Sequence, residues 1–221
     1  MTTKESDCKI SDKIDYQKHW NIAYAKNSTE KLGWFEPSAK ETLQLIEKAE
    51  LKTAANILNI GVGSSILIDE LLAKGYTNLI ANDLSEKALK SLKERLGDKS
   101  SEVTFLVDDI TNTKQLHKLK NVDLWNDRAV LHFFLKEEEQ AAYFKLLKQV
   151  VAINGFVIIA VFALDGAEKC CGLALKRYNS KMLQEKLGNE FKLIEDFKHT
   201  FVNPYDGKRP YIYTLFQRKN K

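Results

Sequence analysis

Asn56-Ile57-Leu58-Asn59-Ile60-Gly61-Val62-Gly63-Ser64-Ser65 is the stretch on which the fold turns, read together with Asp83. Ile57 to Ile60 is a short apolar run, and two glycines then bracket Val62. From Ser65 to Leu72 the apolar spacing becomes helical, with Ile68, Leu71 and Leu72 on one side. The pattern is strand, tight turn, helix. Glycines allow the backbone to approach a ligand where a Cβ would block it. The helix that follows points free N–H groups and partial positive charge at that ligand. After a second apolar run, Leu79 to Ala81, Asp83 falls about 20 residues beyond the glycines. A Rossmann-like unit places a carboxylate there to grip ribose hydroxyls. Ser65 stands at the third glycine position, which argues against a dinucleotide, whose pyrophosphate needs close backbone approach.

Composition sets the outer bounds. The chain has 221 residues with 44% hydrophobic content, enough for one α/β domain with a sizeable core. A net charge of +4 is spread along the chain and gives no footprint for nucleic acid. Cys8, Cys170 and Cys171 are an odd set with an adjacent pair, so a disulfide framework is not expected. The N-terminus is polar, without the marks of a signal peptide, and Phe156 to Leu164 is too short to span a bilayer. A soluble, cytoplasmic protein is expected, monomeric or homodimeric, with no nucleic-acid or membrane partner.

The alternation continues along the chain. Met1 to Asp12 reads as frayed. Asp15 to Tyr24 reads as a short helix carrying His19, Trp20 and Tyr24, followed by the aromatic loop Gly33-Trp34-Phe35-Glu36-Pro37. This segment is either a staple for the terminus or a lid over the glycine turn. Ser38 and Glu41 make a capping-box pattern for the next helix. Ser85 can cap a helix over Ala88, Leu89, Leu92 and Leu96. Strands are expected at Val103 to Val107, Val122 to Trp125 and Phe156 to Phe162, with a helix over about Glu137 to Val151 before the last. Ser180 to Leu187 is a further helix, and Phe191 to Phe197 and Tyr211 to Phe216 are consecutive strands. The reading is βαβαβαβαβ, one more helix, then a hairpin. It specifies a Rossmann-like α/β fold: a seven-stranded, mostly parallel sheet with an antiparallel terminal hairpin, helices on both faces and an N-terminal helical lid. One domain spans 1–221, with lid and first helix over 1–50 and the Rossmann-like core over 55–221.

In such a sheet, ligands bind beyond the carboxyl ends of the strands at the switch point. Gly61 and Gly63, Asp83, Asp109, and Asp127-Arg128 all fall there. Asp83 can take ribose hydroxyls and Asp109 an exocyclic purine amine. These are requirements of an adenosine site.

With these residues in place, the chain resembles the class I S-adenosylmethionine-dependent methyltransferases. Within them it is similar to a bacterial group that carries a run like Trp125-Asn126-Asp127-Arg128-Ala129-Val130-Leu131-His132-Phe133-Phe134. That group also has a segment like Cys170-Cys171-Gly172-Leu173-Ala174-Leu175-Lys176-Arg177-Tyr178, and an N-terminal His19, Trp20 and Tyr24 followed by Trp34-Phe35. The resemblance covers about Tyr16 to Gln217. It implies S-adenosylmethionine as cofactor and S-adenosylhomocysteine as product. The cofactor-binding set becomes Asn59, Gly61, Gly63, Ser65, Asp83, Leu84, Asp109, Ile110 and Asp127. Asn59 stands where the family usually has an acid, and weaker cofactor binding is expected from that departure.

The implied reaction is in-line methyl transfer from a sulfonium, for which the enzyme mainly aligns partners and excludes water. An amine or hydroxyl acceptor must also lose a proton. Asp127 and His132 are the candidate bases, and Arg128 either holds an anionic acceptor or pairs with Asp127. His132 also reads as a capping or core histidine. Tyr24, Trp34, Phe35, Cys170, Arg177 and Tyr178 are the expected substrate-binding residues, forming two covers over a small-molecule acceptor. The two adjacent cysteines have no histidine at ligand spacing, so no metal is expected. His117 and His199 receive no role. The alternatives are a protein lysine methyltransferase, an NAD(P)-dependent oxidoreductase and a non-catalytic adenosine-binding module.

Overall fold

A computed structural model of the protein describes residues 14–26 and 29–220. The frayed terminus expected over Met1 to Asp12, and Cys8 within it, lie outside the described residues. In chain order the strands are β1 (Asn56–Ile60), β2 (Asn78–Asp83), β3 (Val103–Val107), β4 (Val122–Arg128), β5 (Val151–Phe162), β6 (Lys169–Cys170), β7 (Leu173–Ala174), β8 (Phe191–Val202) and β9 (Lys208–Arg218). The helices are α1 (Tyr16–Lys26), α2 (Lys40–Lys48), α3 (Leu67–Ala73), α4 (Glu86–Leu96), α5 (Glu137–Val150) and α6 (Ser180–Leu187).

Seven strands form one sheet in the order β3-β2-β1-β4-β5-β9-β8. β1 pairs in parallel with β2 on one side and β4 on the other, and β4 pairs in parallel with β5. β9 enters antiparallel beside β5, with Phe162 opposite Tyr211 and Phe156 opposite Gln217. The expected terminal hairpin is therefore present, with β8 on the outer edge. β6 and β7 make a separate two-stranded ribbon.

Successive side chains of a strand point to opposite faces, and the core divides accordingly. Ile57, Leu79, Leu124, Ile158 and Ala160 pack with Leu45 and Ile46 of α2, Ile68 and Leu71 of α3, and Leu89 and Leu92 of α4. Leu58, Ile60, Trp125, Val157 and Ile159 pack with Tyr143 and Leu147 of α5 and Leu183 and Leu187 of α6. The central strands are buried on both faces, which is why they read as continuous apolar runs.

Three local expectations are corrected. The crossover from β3 to β4 carries no α-helix, only one turn of 3-10 helix at Leu116–Lys118. Its backbone folds instead around the buried Asp108 carboxylate, which accepts from Lys114 N, Gln115 N, Leu116 N and Thr113 Oγ1. These bonds hold its carboxyl below the usual range against the upward push of burial. The capping box at Ser38 and Glu41 does not form. Glu70 of α3 accepts from Ser38 Oγ and Ala39 N, so the start of α2 is capped from another helix. Finally, β8 and β9 run longer than their apolar segments, because β8 is an edge strand on which several polar side chains face solvent. By contrast, Ser85 caps α4 as expected, accepting from Ala88 N.

The end of β4 is held by Asp127. Its carboxylate accepts from Val130 N (2.9 Å), Leu131 N (3.1 Å) and Tyr143 Oη (2.7 Å), and Trp125 Nε1 donates to the same Tyr143 oxygen (3.1 Å). Burial nevertheless raises the Asp127 carboxyl to about 6, with the bonds from Tyr143, Val130 and Leu131 acting the other way. Removing the carboxylate leaves buried donors without a partner. Asp127→Ala is expected to lower the unfolding free energy by about 3 kcal/mol in urea denaturation. A variant as stable as the parent would show that the carboxylate is not a structural part of this turn.

Candidate active site

In the sheet, the chain passes from β1 outward to β2 and β3, then returns to β4 on the other side of β1. That reversal opens a crevice at the carboxyl ends of β1 and β4, and a cavity lies there. Gly61 (φ 60°) and Gly63 (φ 47°) carry the chain out of β1 in the left-handed region. A Cβ on Gly61 would overlap the Val130 side chain, and one on Gly63 would overlap the Tyr24 hydroxyl. Glycine is thus required twice over, by conformation and by space.

Asp83 fixes this turn from the neighbouring strand. Its carboxylate accepts from Gly63 N (2.9 Å) and Ser85 N (2.8 Å). Only 6% of the residue is exposed, and burial raises its carboxyl to about 6. Deeper in the crevice, Asn126 Nδ2 donates to Asn59 Oδ1 (3.1 Å). Asn59 Nδ2 and Asn126 Oδ1 have no partner among the described residues, and both residues line the cavity. Whichever way the two amides are turned, one donor and one acceptor remain for a ligand. That pair suits the carboxylate and ammonium of an amino-acid moiety. Asp109 also lines the cavity, its Oδ1 turned to Thr111 N and Oγ1. Ser65, Leu84 and Ile110 complete this side.

α1 lies across the opening. Gln17 Nε2 donates to Leu84 O, Asn21 Oδ1 accepts from Ser85 Oγ (2.7 Å), and Tyr16 Oη donates to Phe133 O. Its inner side presents Trp20 and Tyr24, which pack edge-on against Trp34 at 5.7 and 5.6 Å, while Trp20 meets Phe133 at 5.0 Å. The N-terminal segment is thus stapled to the core and also roofs the cavity.

Arg128 is the buried cation of the site. It pairs with Glu36, not with Asp127, and donates to Tyr213 Oη (3.2 Å) and Trp34 O (3.4 Å). Its guanidinium lies over the rings of Phe201 and Tyr211. His132 beside it is fully buried, and neither ring nitrogen has a partner among the described residues. Burial, then the Arg128 charge, push its imidazole down to about 3, so it is neutral at physiological pH.

The structure brings together Tyr24, Trp34, Asn59, Gly61, Gly63, Ser65, Asp83, Leu84, Asp109, Ile110, Arg128, His132 and Cys170 around one cavity. It leaves out four expected residues. Asp127 faces the α5 side and is saturated by its turn. Phe35 does not reach the lining. Arg177 turns to Gly166 O and Glu168, and Tyr178 is buried in the core that covers α6. Conversely, Glu36, Asn126, Phe133, Cys171 and Tyr211 line the cavity without having been singled out as site residues. Glu36 stood in the quoted aromatic loop, but only its buried cationic partner marks it.

A methyltransferase domain model matches residues 57–155. The chain is 28% identical over 171 residues to EEF1A lysine methyltransferase 2 of Danio rerio, covering 71% of this chain and 72% of that protein. With its Homo sapiens counterpart it shares 23% over 166 residues, covering 68% and 69%. Among solved structures, the N-methyltransferase NodS of Bradyrhizobium japonicum, in complex with S-adenosyl-L-homocysteine, superposes with a TM-score of 0.69. That match covers 94% of this chain and all of that one at 14% identity, a likeness of fold. No helix among the described residues is long and apolar enough to cross a membrane. With the glycine turn, the buried carboxylate and these likenesses together, the chain is an S-adenosylmethionine-dependent methyltransferase with the class I Rossmann-like fold.

Proposed function

We propose that the protein methylates the side-chain amine of a lysine in a protein substrate. The likeness to lysine methyltransferases over most of the chain supports this reading more than the small-molecule acceptor expected from the sequence. The observation that carries it in the geometry is the aromatic wall. Trp20, Tyr24, Trp34, Phe133 and Tyr211 line the cavity beside the glycine turn. Such a channel accepts a narrow alkyl chain and attracts its ammonium through the ring faces.

The cofactor is assigned to the β1–β2 side. Gly61 and Gly63 give its backbone approach, Asp83 takes the ribose hydroxyls, and Asp109 with Ile110 borders the base. The spare donor and acceptor of Asn59 and Asn126 take the amino-acid end. The bound cofactor supplies an activated methyl group, and the protein's share is alignment and exclusion of water. A lysine ammonium must first release its proton. Desolvation in the aromatic channel favours the neutral amine. Neutral His132 can accept a hydrogen bond from that amine, in a role that orients more than it deprotonates.

A second reading has its own observation. α1 roofs the cavity and is tied down along its first half, where Tyr16, Gln17 and Asn21 bond to Phe133, Leu84 and Ser85. A roof of this kind suits an acceptor that is wholly enclosed. The two readings separate in one assay. Full-length protein, methyl-labelled donor and a cell extract are incubated, and protein and small-molecule fractions are counted. Label in ε-N-methyllysine of a protein band is expected. Label confined to small molecules would overturn the lysine reading and favour the second.

The assignment of Asp83 has a pH signature. Its free carboxyl titrates at about 6 because of burial. Ribose hydroxyls donate to the carboxylate and so lower that value in the complex. Binding below pH 6 therefore expels a proton, and affinity falls as pH falls. The dissociation constant for S-adenosylhomocysteine, measured by calorimetry, is expected to weaken by up to about tenfold per pH unit below pH 6. A constant value from pH 7.5 to 5 would remove Asp83 from the ribose site.

A further inference from the structure

Methyl transfer leaves one feature of the cavity without a use. Cys170 and Cys171 are adjacent in sequence, both line the cavity, and their sulfurs are 3.5 Å apart. The pair sits at the tip of the β6–β7 ribbon, where Cys171 (φ 53°) and Gly172 (φ 78°) both take left-handed backbone. A turn of this kind holds the ribbon closed and fixes the direction of the two thiols. The two thiols share one hydrogen bond, in which either sulfur can donate. That bond, helped by Arg209 and Arg128, draws the Cys170 thiol below its usual range against the upward push of burial.

Two chemistries could use such a pair, and the geometry separates them. A disulfide needs sulfurs about 2.05 Å apart and Cα atoms roughly 4.4–6.8 Å apart. Neighbouring residues offer a Cα spacing of only about 3.8 Å across a trans peptide, so this disulfide would be strained. A metal with four tetrahedral ligands needs more partners, and among the described residues no cluster of three or more potential ligands exists. What remains is a centre that two thiolates can satisfy alone, bridging the sulfurs without bringing them into bonding distance. A soft, thiophilic metalloid with two exchangeable oxygens meets that requirement.

We propose that Cys170 and Cys171 form a dithiol site for trivalent arsenicals on the wall of the active-site cavity. In the reaction, an R–As(OH)₂ group exchanges both As–O bonds for As–S bonds to Cys170 and Cys171. The two thiol protons leave with the two hydroxides as water, and the arsenic stays trivalent, so no oxidant or reductant is consumed. The adduct projects into the space between the ribbon and the glycine turn, and methyl transfer stops. Binding itself does not depend on which acceptor the enzyme uses.

The test uses the full chain kept reduced with a phosphine and titrated with phenylarsine oxide. Intact mass is expected to show one arsenical per chain. Iodoacetamide footprinting is expected to show Cys170 and Cys171 protected together. Cys170→Ser and Cys171→Ser each break the chelate and should weaken binding by about 100-fold, since the second bond is formed intramolecularly. Cys8→Ser should bind as the parent does. An adduct that survives unchanged in either serine variant, depends on Cys8, or leaves Cys170 or Cys171 open to alkylation would overturn the site. Should a serine variant fail to fold, the footprint of the parent chain decides alone.

Discussion

The hydrogen bond from Gly63 N to Asp83 is the contact on which the site depends. It joins the turn after β1 to the end of β2, and it is possible only because Gly61 and Gly63 both take left-handed backbone. Burial raises the affinity of Asp83 for its proton, and the bonds from Ser85 N and Gly63 N offset only part of that rise. A buried carboxylate that is only partly satisfied by N–H groups is poised for further donors, which is what a ribose offers. Fold and binding chemistry thus meet in one contact.

The remainder of the cavity is built onto that turn from distant parts of the chain. Tyr24 of α1 packs over Gly63, and Val130 from the end of β4 packs against Gly61. Arg128 anchors the Trp34–Glu36 loop and stacks on Phe201 and Tyr211 of the terminal hairpin. A buried ion pair of this kind is weak as a source of stability, because desolvation offsets much of its attraction. Its effect here is positional: it ties the roof, the switch-point strand and the hairpin to one guanidinium.

Much of this was legible in the sequence, and the failures have physical causes. β3 and α6 fall where periodicity put them, and Ser85 caps α4 as its side chain allows. Short range carries such features. The capping pattern at Ser38 and Glu41 failed because a carboxylate from another helix, Glu70, outcompeted the local one. Asp127 sits at the right strand end, but position along a strand does not say which face a side chain takes. Tyr143, sixteen residues later, holds it on the α5 side. Arg177 and Tyr178 were read with Cys170 as one cover, yet the chain turns into the core after the ribbon, and only the cysteines reach the cavity. Glu36 and Tyr211 became visible only through Arg128, a contact between segments far apart in sequence.

The central claim is that the glycine turn, closed by Asp83 and roofed by Tyr24, is where the adenosyl cofactor binds. Its most direct measurement is a calorimetric titration of the parent chain and of Gly63→Ala with S-adenosylhomocysteine, alongside a thermal melt of each. The account predicts one ligand per parent chain. In the variant it predicts loss of binding with the cooperative melt retained, since the added Cβ opposes both the backbone conformation and the Tyr24 hydroxyl. Undiminished binding by a folded Gly63→Ala would contradict it.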